Sequence, residues 1–278
     1  MSTQNQVAPK QATPVDRLKT MLNSTSVKEQ FQNALKENSG LFVASLIDIY
    51  SNDRSLQDCE PKAVVMEALK AATLKLPINK SLGFAYIVPF KNKGKSEPTM
   101  IIGYKGLIQL AMRTGSYRYI NADVVYEGEL ETVDKLTGEI SISGTKTSDK
   151  PVGYFAFFET LNGFRKTVFW HADKVREHGK KYSKSFNSSY SPWQSQFDDM
   201  AIKTVLRNAI SKWGIMSVEM QNAIANDIDA DSAQEINPNS EVIDVDFTEE
   251  PATTSEPADG FGTVNDFPGE PPTDGPGF

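Results

Sequence analysis

The chain has 278 residues, 39% of them hydrophobic and 10% aromatic, enough for one sizeable folded domain with chain to spare. No apolar run approaches the roughly 20 residues of a membrane span, and the polar stretch Met1 to Pro14 carries no hydrophobic signal region. The net charge of −7 hides an asymmetry: Val218 to Phe278 holds 15 acidic residues and no basic one, so Met1 to Ser217 sets 29 basic against 21 acidic residues, net +8. A basic body with an acidic tail is a pattern of nucleic-acid binders, although such a tail also serves as a solubilising extension. Cys59 is the single cysteine, which excludes an intramolecular disulfide and fits a reducing, cytoplasmic setting.

In chain order, residues 1 to about 25 are rich in Gln, Ser and Thr and read as a mobile N-terminal segment. Val27 to Leu35 and Gly40 to Tyr50 read as short helices. Pro61 suits the first turn of a helix reaching Leu76, with Val64, Val65, Met66, Leu69, Ala72 and Leu76 as apolar positions. Phe84 to Phe90 and Thr99 to Ile102 read as strands. Tyr104 to Thr114 reads as a helix closed by Gly115. Tyr119 to Leu130 alternates, and Thr137-Gly138 makes a turn before Ile140 to Ile142. Val152 to Thr160 and Phe164 to Trp170 are joined through Asn162-Gly163, a strong hairpin signal.

His171 to Lys180 reads as a helix. Ser191, Pro192 and Gln194 then form a Ser-x-x-Gln capping box opening a long helix to about Trp213. After Asp227 the composition turns to Asp, Glu, Pro, Gly, Ser and Thr and reads as disordered. The expected organisation is a mobile segment 1–25, a body 26–217 and an acidic tail 218–278. An antiparallel sheet with helices before and after it makes the body an α+β domain.

Enzyme motifs mostly fail. Gly94-Lys95-Ser96 resembles the end of a phosphate-binding loop, but Pro89 stands where that loop needs a glycine, so ATP use through it is not expected. Cys59, His171 and His178 lack zinc-ligand spacing, and the histidines read as ordinary surface residues of a helix. Asp123, Glu127 and Glu129 would share one face of a regular strand, the basis for a metal-dependent nuclease reading. Such a site usually also needs a placed lysine, and Glu60-Pro61-Lys62 opens a helix instead, so a solvated strand face is the simpler account. Gly153 to Phe157 lacks the basic residue and spacing of an RNA-binding strand.

Basic residues beside aromatics and backbone donors carry the stronger signal. Tyr86 to Lys95 places Lys91, Lys93 and Lys95 at a strand end, where lysine neutralises phosphates without reading sequence. Gly103-Tyr104-Lys105-Gly106 falls where a strand becomes a helix, so free amides, a lysine and two glycines could meet a phosphate; Arg113 follows two turns on. Lys203 and Arg207 share a helix face, as DNA contacts or as an exposed ladder with Asp199. Trp193 reads as core rather than as a base-stacking platform.

Three ordered blocks then resemble the phage RecT family of single-strand annealing recombinases. They are Leu82 to Lys93, Ile102 to Ala111, and Ser191-Pro192-Trp193 leading into Met200 to Arg207, within a similarity spanning roughly residues 30 to 215. The resemblance implies a sheet packed on helices, related to the single-strand annealing protein superfamily. It implies nucleotide-independent annealing of complementary DNA strands by rings or filaments of a homo-oligomer, with no cofactor and no catalysis. Single-stranded DNA and the annealed duplex intermediate are the implied ligands, and a phage exonuclease and a host single-stranded DNA-binding protein the implied partners. Lys91, Lys93, Gly103, Tyr104, Lys105, Gly106, Arg113, Lys203 and Arg207 are the expected DNA-binding residues. A plain single-strand coating protein stays open beside the nuclease reading.

Overall fold

Thr13 opens the first helix, α1 (Pro14–Leu22). Its hydroxyl accepts from the Asp16 amide at 3.1 Å, and the Asp16 carboxylate accepts from the Thr13 amide at 3.1 Å. Leu18 and Leu22, four residues apart, are buried. This corrects the expected mobile segment: a reciprocal cap and a short apolar stripe are enough to dock a mostly polar stretch. The computed structural model describes residues 12–92, 94–183, 185–189 and 191–226. All lie in one compact unit, Met1–Ile236, while the rest of the expected acidic tail falls outside the described residues.

Helices α2 (Thr25–Leu35), α3 (Ser39–Asn52), α4 (Arg54–Gln57) and α5 (Pro61–Thr73) complete an N-terminal helical layer. Along α5, Val64, Val65, Ala68, Leu69, Ala71 and Ala72 are buried, while Met66 is 52% exposed. The helix stops three residues short of Leu76 because Lys75 takes a left-handed φ of 52°. Arg113 then donates to the carbonyls of Leu74 and Lys75 at 2.6 and 3.0 Å, satisfying acceptors the helix end leaves open.

Strands β1 (Ala85–Asn92) and β2 (Lys95–Ile102) form a tight antiparallel hairpin, with Asn92 opposite Lys95 and Gly94 at φ 85° in the turn. β2 begins four residues earlier than its apolar run suggests; Pro98 is tolerated because it faces Pro89 in a two-stranded ribbon. Glu67 of α5 fixes the ribbon by accepting from the Met100 amide at 2.8 Å and from Lys70 at 2.6 Å.

Helix α6 (Tyr104–Arg113) leads into β3 (Tyr117–Tyr126), then the two-residue strands β4 (Thr132–Val133) and β5 (Ile140–Ser141), then β6 (Pro151–Thr160) and β7 (Arg165–His171). The main sheet has the antiparallel order β3-β6-β7. The expected Asn162-Gly163 turn joins its last two strands, with Gly163 at φ 85°. Glu159 is buried in β6 and paired with Arg118 at 2.9 Å and Arg165 at 2.7 Å, so its charge is compensated twice.

The chain finishes with α7 (Ala172–Tyr182), α8 (Pro192–Ser195), α9 (Phe197–Trp213) and α10 (Val218–Asn226). The expected single helix from Ser191 is thus broken at Gln196, which leaves the helical region at φ −142°, ψ 53°. Ser191 caps the Trp193 amide at 3.3 Å, but the Gln194 side chain donates to the Phe186 carbonyl at 2.5 Å rather than closing a capping box. α9 crosses the main sheet as the central core helix, with Ala201, Ile202, Val205, Leu206, Ala209 and Ile210 buried. α10 corrects the expected boundary at 217: Met220, Ala223 and Ile224 are buried, so the packed body continues to Asn226. The architecture is the α+β arrangement expected, with helices against antiparallel sheets, and no described helix is long and apolar enough to cross a membrane.

Candidate nucleic-acid interface

Alternate residues of β1, Tyr86, Val88 and Phe90, line one side of a cleft of about 120 Å³. Tyr104 at the start of α6, Trp193 of α8, and Asp199 and Lys203 of α9 complete it. Two glycines set the approach of α6. The Gly103 amide donates to the Phe84 carbonyl at 3.0 Å, and a Cβ on Gly103 would strike the Gly83 carbonyl. A Cβ on Gly106 would strike the Phe84 carbonyl and lie 2.8 Å from Ile102 Cγ2. Neither obstacle is a flexible side-chain end, so Gly106→Ala is expected to destabilise the fold by about 1–3 kcal/mol. A lowered urea midpoint at unchanged slope is the expected reading; an unshifted midpoint would show that the helix can move away.

The cleft is polar at chosen points. Burial, and next the negative charge of Asp199, push the phenols of Tyr86 and Tyr104 above their ordinary range, with Lys203 opposing this at Tyr86. Both phenols therefore stay protonated and able to donate. Tyr154 of β6 donates to Asp198 at 2.6 Å and is likewise raised, chiefly by burial. Lys203 is only 3% exposed, which removes the exposed ladder as its setting.

On its other side Lys203 lines a second groove of about 280 Å³ between α7 and α9, with Trp170, His178, Tyr182, Arg207 and Lys212. Here rings and cations alternate. His178 lies 5.3 Å from the Trp170 ring and 4.5 Å from that of Tyr182, and the Lys174 ammonium sits 4.3 Å from the Trp170 ring centroid. No carboxylate is among the described lining residues. Arg207 also donates to the Ile224 carbonyl at 2.8 Å, which ties α10 to this wall.

The structure brings only part of the expected site together. Gly103, Tyr104 and Lys203 share the cleft, and Lys203 and Arg207 share the groove. Lys105 is exposed beside the cleft, 5.9 Å from the Tyr104 ring, and Lys91 is exposed on the hairpin arm. Gly106 is buried beneath Phe84, Arg113 is engaged at the end of α5, and Lys93 lies outside the described residues. Tyr86, Trp170, His178, Tyr182 and Lys212 escaped the sequence reading. Their signal was aromatic and basic residues at helical or strand spacing, which is equally the pattern of core and solvated faces. His178, expected to be an ordinary surface residue, is half-buried among rings.

The carboxylates of the nuclease reading do not assemble. β3 ends at Tyr126, Glu129 turns back to accept from the Tyr126 amide at 2.7 Å, and Glu127 accepts from Ser148 at 2.9 Å. Among the described residues no group of three His, Cys, Asp or Glu could hold a metal ion. Gly94-Lys95-Ser96 occupies the tip of the β1–β2 hairpin rather than a strand-to-helix loop.

The block Ser191 to Arg207 follows Leu82 to Lys93 and Ile102 to Ala111 after a long stretch of chain, yet all three contribute to the one cleft. The sequence profile of the RecT family matches residues 40–244. The chain belongs to the RecT family. It is 44% identical to the Uncharacterized protein YqaK of Bacillus subtilis (strain 168) over 255 residues, covering 87% of this chain and 86% of that protein. It is 29% identical to Protein RecT of Escherichia coli (strain K12) over 217 residues, covering 75% and 79%. RecT membership places the chain among DNA single-strand annealing proteins of recombination. It also reaches past the expected boundary at 217, in keeping with the packing of α10.

Proposed function

We propose that the protein binds single-stranded DNA and anneals complementary strands without a nucleotide, as a homo-oligomer assembled on the DNA in phage-type recombination. The observation that carries this reading is the meeting of the RecT blocks at a cleft and groove that share Lys203 and combine cations with aromatic rings. The work is physical rather than covalent. Lys91, Lys93, Lys105, Lys203 and Arg207 neutralise phosphates, which fixes the strand's position and lowers repulsion from a second strand. Gly103, Tyr104 and Gly106 hold the first turn of α6 against β1, so that its amides supply further anion donors. Arg113 supports this by securing the end of α5. Base pairing then selects the complement, and assembly of copies makes successive contacts effectively intramolecular.

An exonuclease that exposes single strands and a host single-stranded DNA-binding protein are the fitting partners, and the cytoplasm the fitting compartment. The test is strand pairing by the purified protein with fluorescently labelled complementary oligonucleotides, with neither nucleotide nor metal added. Pairing well above the spontaneous rate is expected. A requirement for ATP, or cutting of labelled DNA when magnesium is supplied, would overturn the reading. Binding without pairing would leave a coating protein.

A further inference from the structure

Residues 127–150, between β3 and β6, form an arm that contains no buried residue. Its order comes from hydrogen bonds instead. At its base the Glu127 amide donates to the Lys150 carbonyl at 3.0 Å and the Thr147 amide to the Glu127 carbonyl at 2.8 Å, while a Cβ on Gly144 would strike the Gly128 carbonyl. At its tip the Asp134 carboxylate accepts from the amides of Leu136 and Thr137 at 2.7 and 3.3 Å, and Gly138 closes the turn at φ 78°. This turn holds Leu136 out at 94% exposure, the most exposed of the described large apolar side chains. A leucine fixed in solvent by a preorganised turn is a ready anchor, because the ordering cost of docking is already met. Its ligand is not DNA: residues 127–150 set 6 acidic against 3 basic residues, net −3, on a body of net +8.

A matching receptacle lies in the N-terminal helical layer. A groove of about 720 Å³ opens where α2 passes into α3 and α5 into β1. Phe42, Leu76 and Ile78 are buried in its floor, and Leu41 and Leu82 stand exposed at its edge. Lys36 and Lys75 set two cations against the one carboxylate of Glu37 among its described lining residues. The groove therefore suits an apolar side chain carried on an acidic segment. Leu136, with Asp134 and Glu139 beside it, has that chemistry, and its exposure shows that it does not occupy the groove of its own chain. Resting on the homo-oligomer proposed above, we infer that the arm of one copy docks in the helical-layer groove of the next, with Leu136 as its anchor. Residues 127–150 match in length the roughly 20–30 residues that one side of a standard interface supplies. Arm and groove are different surfaces, so the contact is head-to-tail and repeats from copy to copy, generating a ring or a filament.

Sedimentation velocity of the full chain, alone and on a long single strand, tests this. Leu136→Asn alters the arm, and Leu41→Gln with Leu82→Gln alters the groove; all three side chains are exposed, so circular dichroism should be unchanged. Each variant is expected to raise the concentration at half-assembly at least about tenfold, the share of one buried leucine. Unchanged assembly by either variant overturns the contact. Chemical cross-linking gives an independent readout, since the natural Cys59 is buried. Leu136→Cys and Leu82→Cys proteins, mixed and treated with a short bis-maleimide, are expected to yield cross-linked dimers well above either protein alone. A mixture no different from its components overturns the contact. Either negative result, with the unmodified chain still assembling and pairing strands, leaves the proposed function intact. An unmodified chain that stays monomeric with and without the strand overturns both the contact and the homo-oligomer.

Discussion

Neutralising Lys203 and Arg207 together, as Lys203→Met with Arg207→Gln, is expected to weaken single-stranded DNA binding by about a hundredfold or more at low salt. A hydrogen bond to a charged group contributes roughly 1.5–3 kcal/mol net, so losing two makes the smaller end of the range about 3 kcal/mol. The salt dependence should flatten as well. Each phosphate contact contributes about 0.7 to the logarithmic slope on single strands, so the slope should fall by roughly 1.4. Methionine is chosen at 203 because that side chain is buried and methionine keeps a long, flexible stem in the core while removing the charge. At 207 the contact with the Ile224 carbonyl is lost, so circular dichroism and thermal unfolding should accompany the titration. A folded double variant with unchanged affinity and slope would mean that these cations serve the core alone.

The same two residues show how far the sequence could be read. Their spacing of four put them on one face of a helix, and the structure does place them on one groove wall. Local signals of that kind succeeded elsewhere: Asn162-Gly163 makes the hairpin and Pro61 starts α5, each through chemistry confined to a few residues. What escaped depends on distant partners. Trp170 becomes part of a ring cluster only when β7 places it beside His178 of α7, and Tyr86 becomes a cleft wall only when α9 arrives more than a hundred residues later. Gln196 shows the same limit in reverse. A helical pattern continuous in sequence breaks where the Gln194 side chain takes the Phe186 carbonyl and Trp193 packs between Phe186 and Phe197, ring centroids 5.5 and 5.6 Å away. The α1 helix was hidden differently: a two-leucine stripe is too short to outweigh its polar neighbours in composition.

Truncation after Asn226 is expected to preserve the fold and strengthen DNA binding at low salt by about tenfold or more. The packed body includes α10, whose Met220, Ala223 and Ile224 are buried, so a cut at 217 would remove buried apolar side chains that a cut at 226 retains. Residues 227–278 contain 14 acidic and no basic residues, and removing them takes the net charge from −7 to +7. That change acts on a polyanion through two routes. Repulsion between tail and phosphates disappears, and so does competition by the tail's carboxylates for the cations of the groove. Both are screened, with a Debye length of about 8 Å at physiological ionic strength and about 30 Å at 0.01 M. The gain should therefore be largest in dilute salt and shrink as salt rises, which separates it from any loss of specific contacts. Fluorescence anisotropy with a labelled single strand, measured across a salt series for full-length and truncated protein, checks it. If a properly folded truncated protein binds more weakly at every salt concentration, the acidic segment contributes to the DNA site or to assembly between subunits, and its charge is not an antagonist of the basic body.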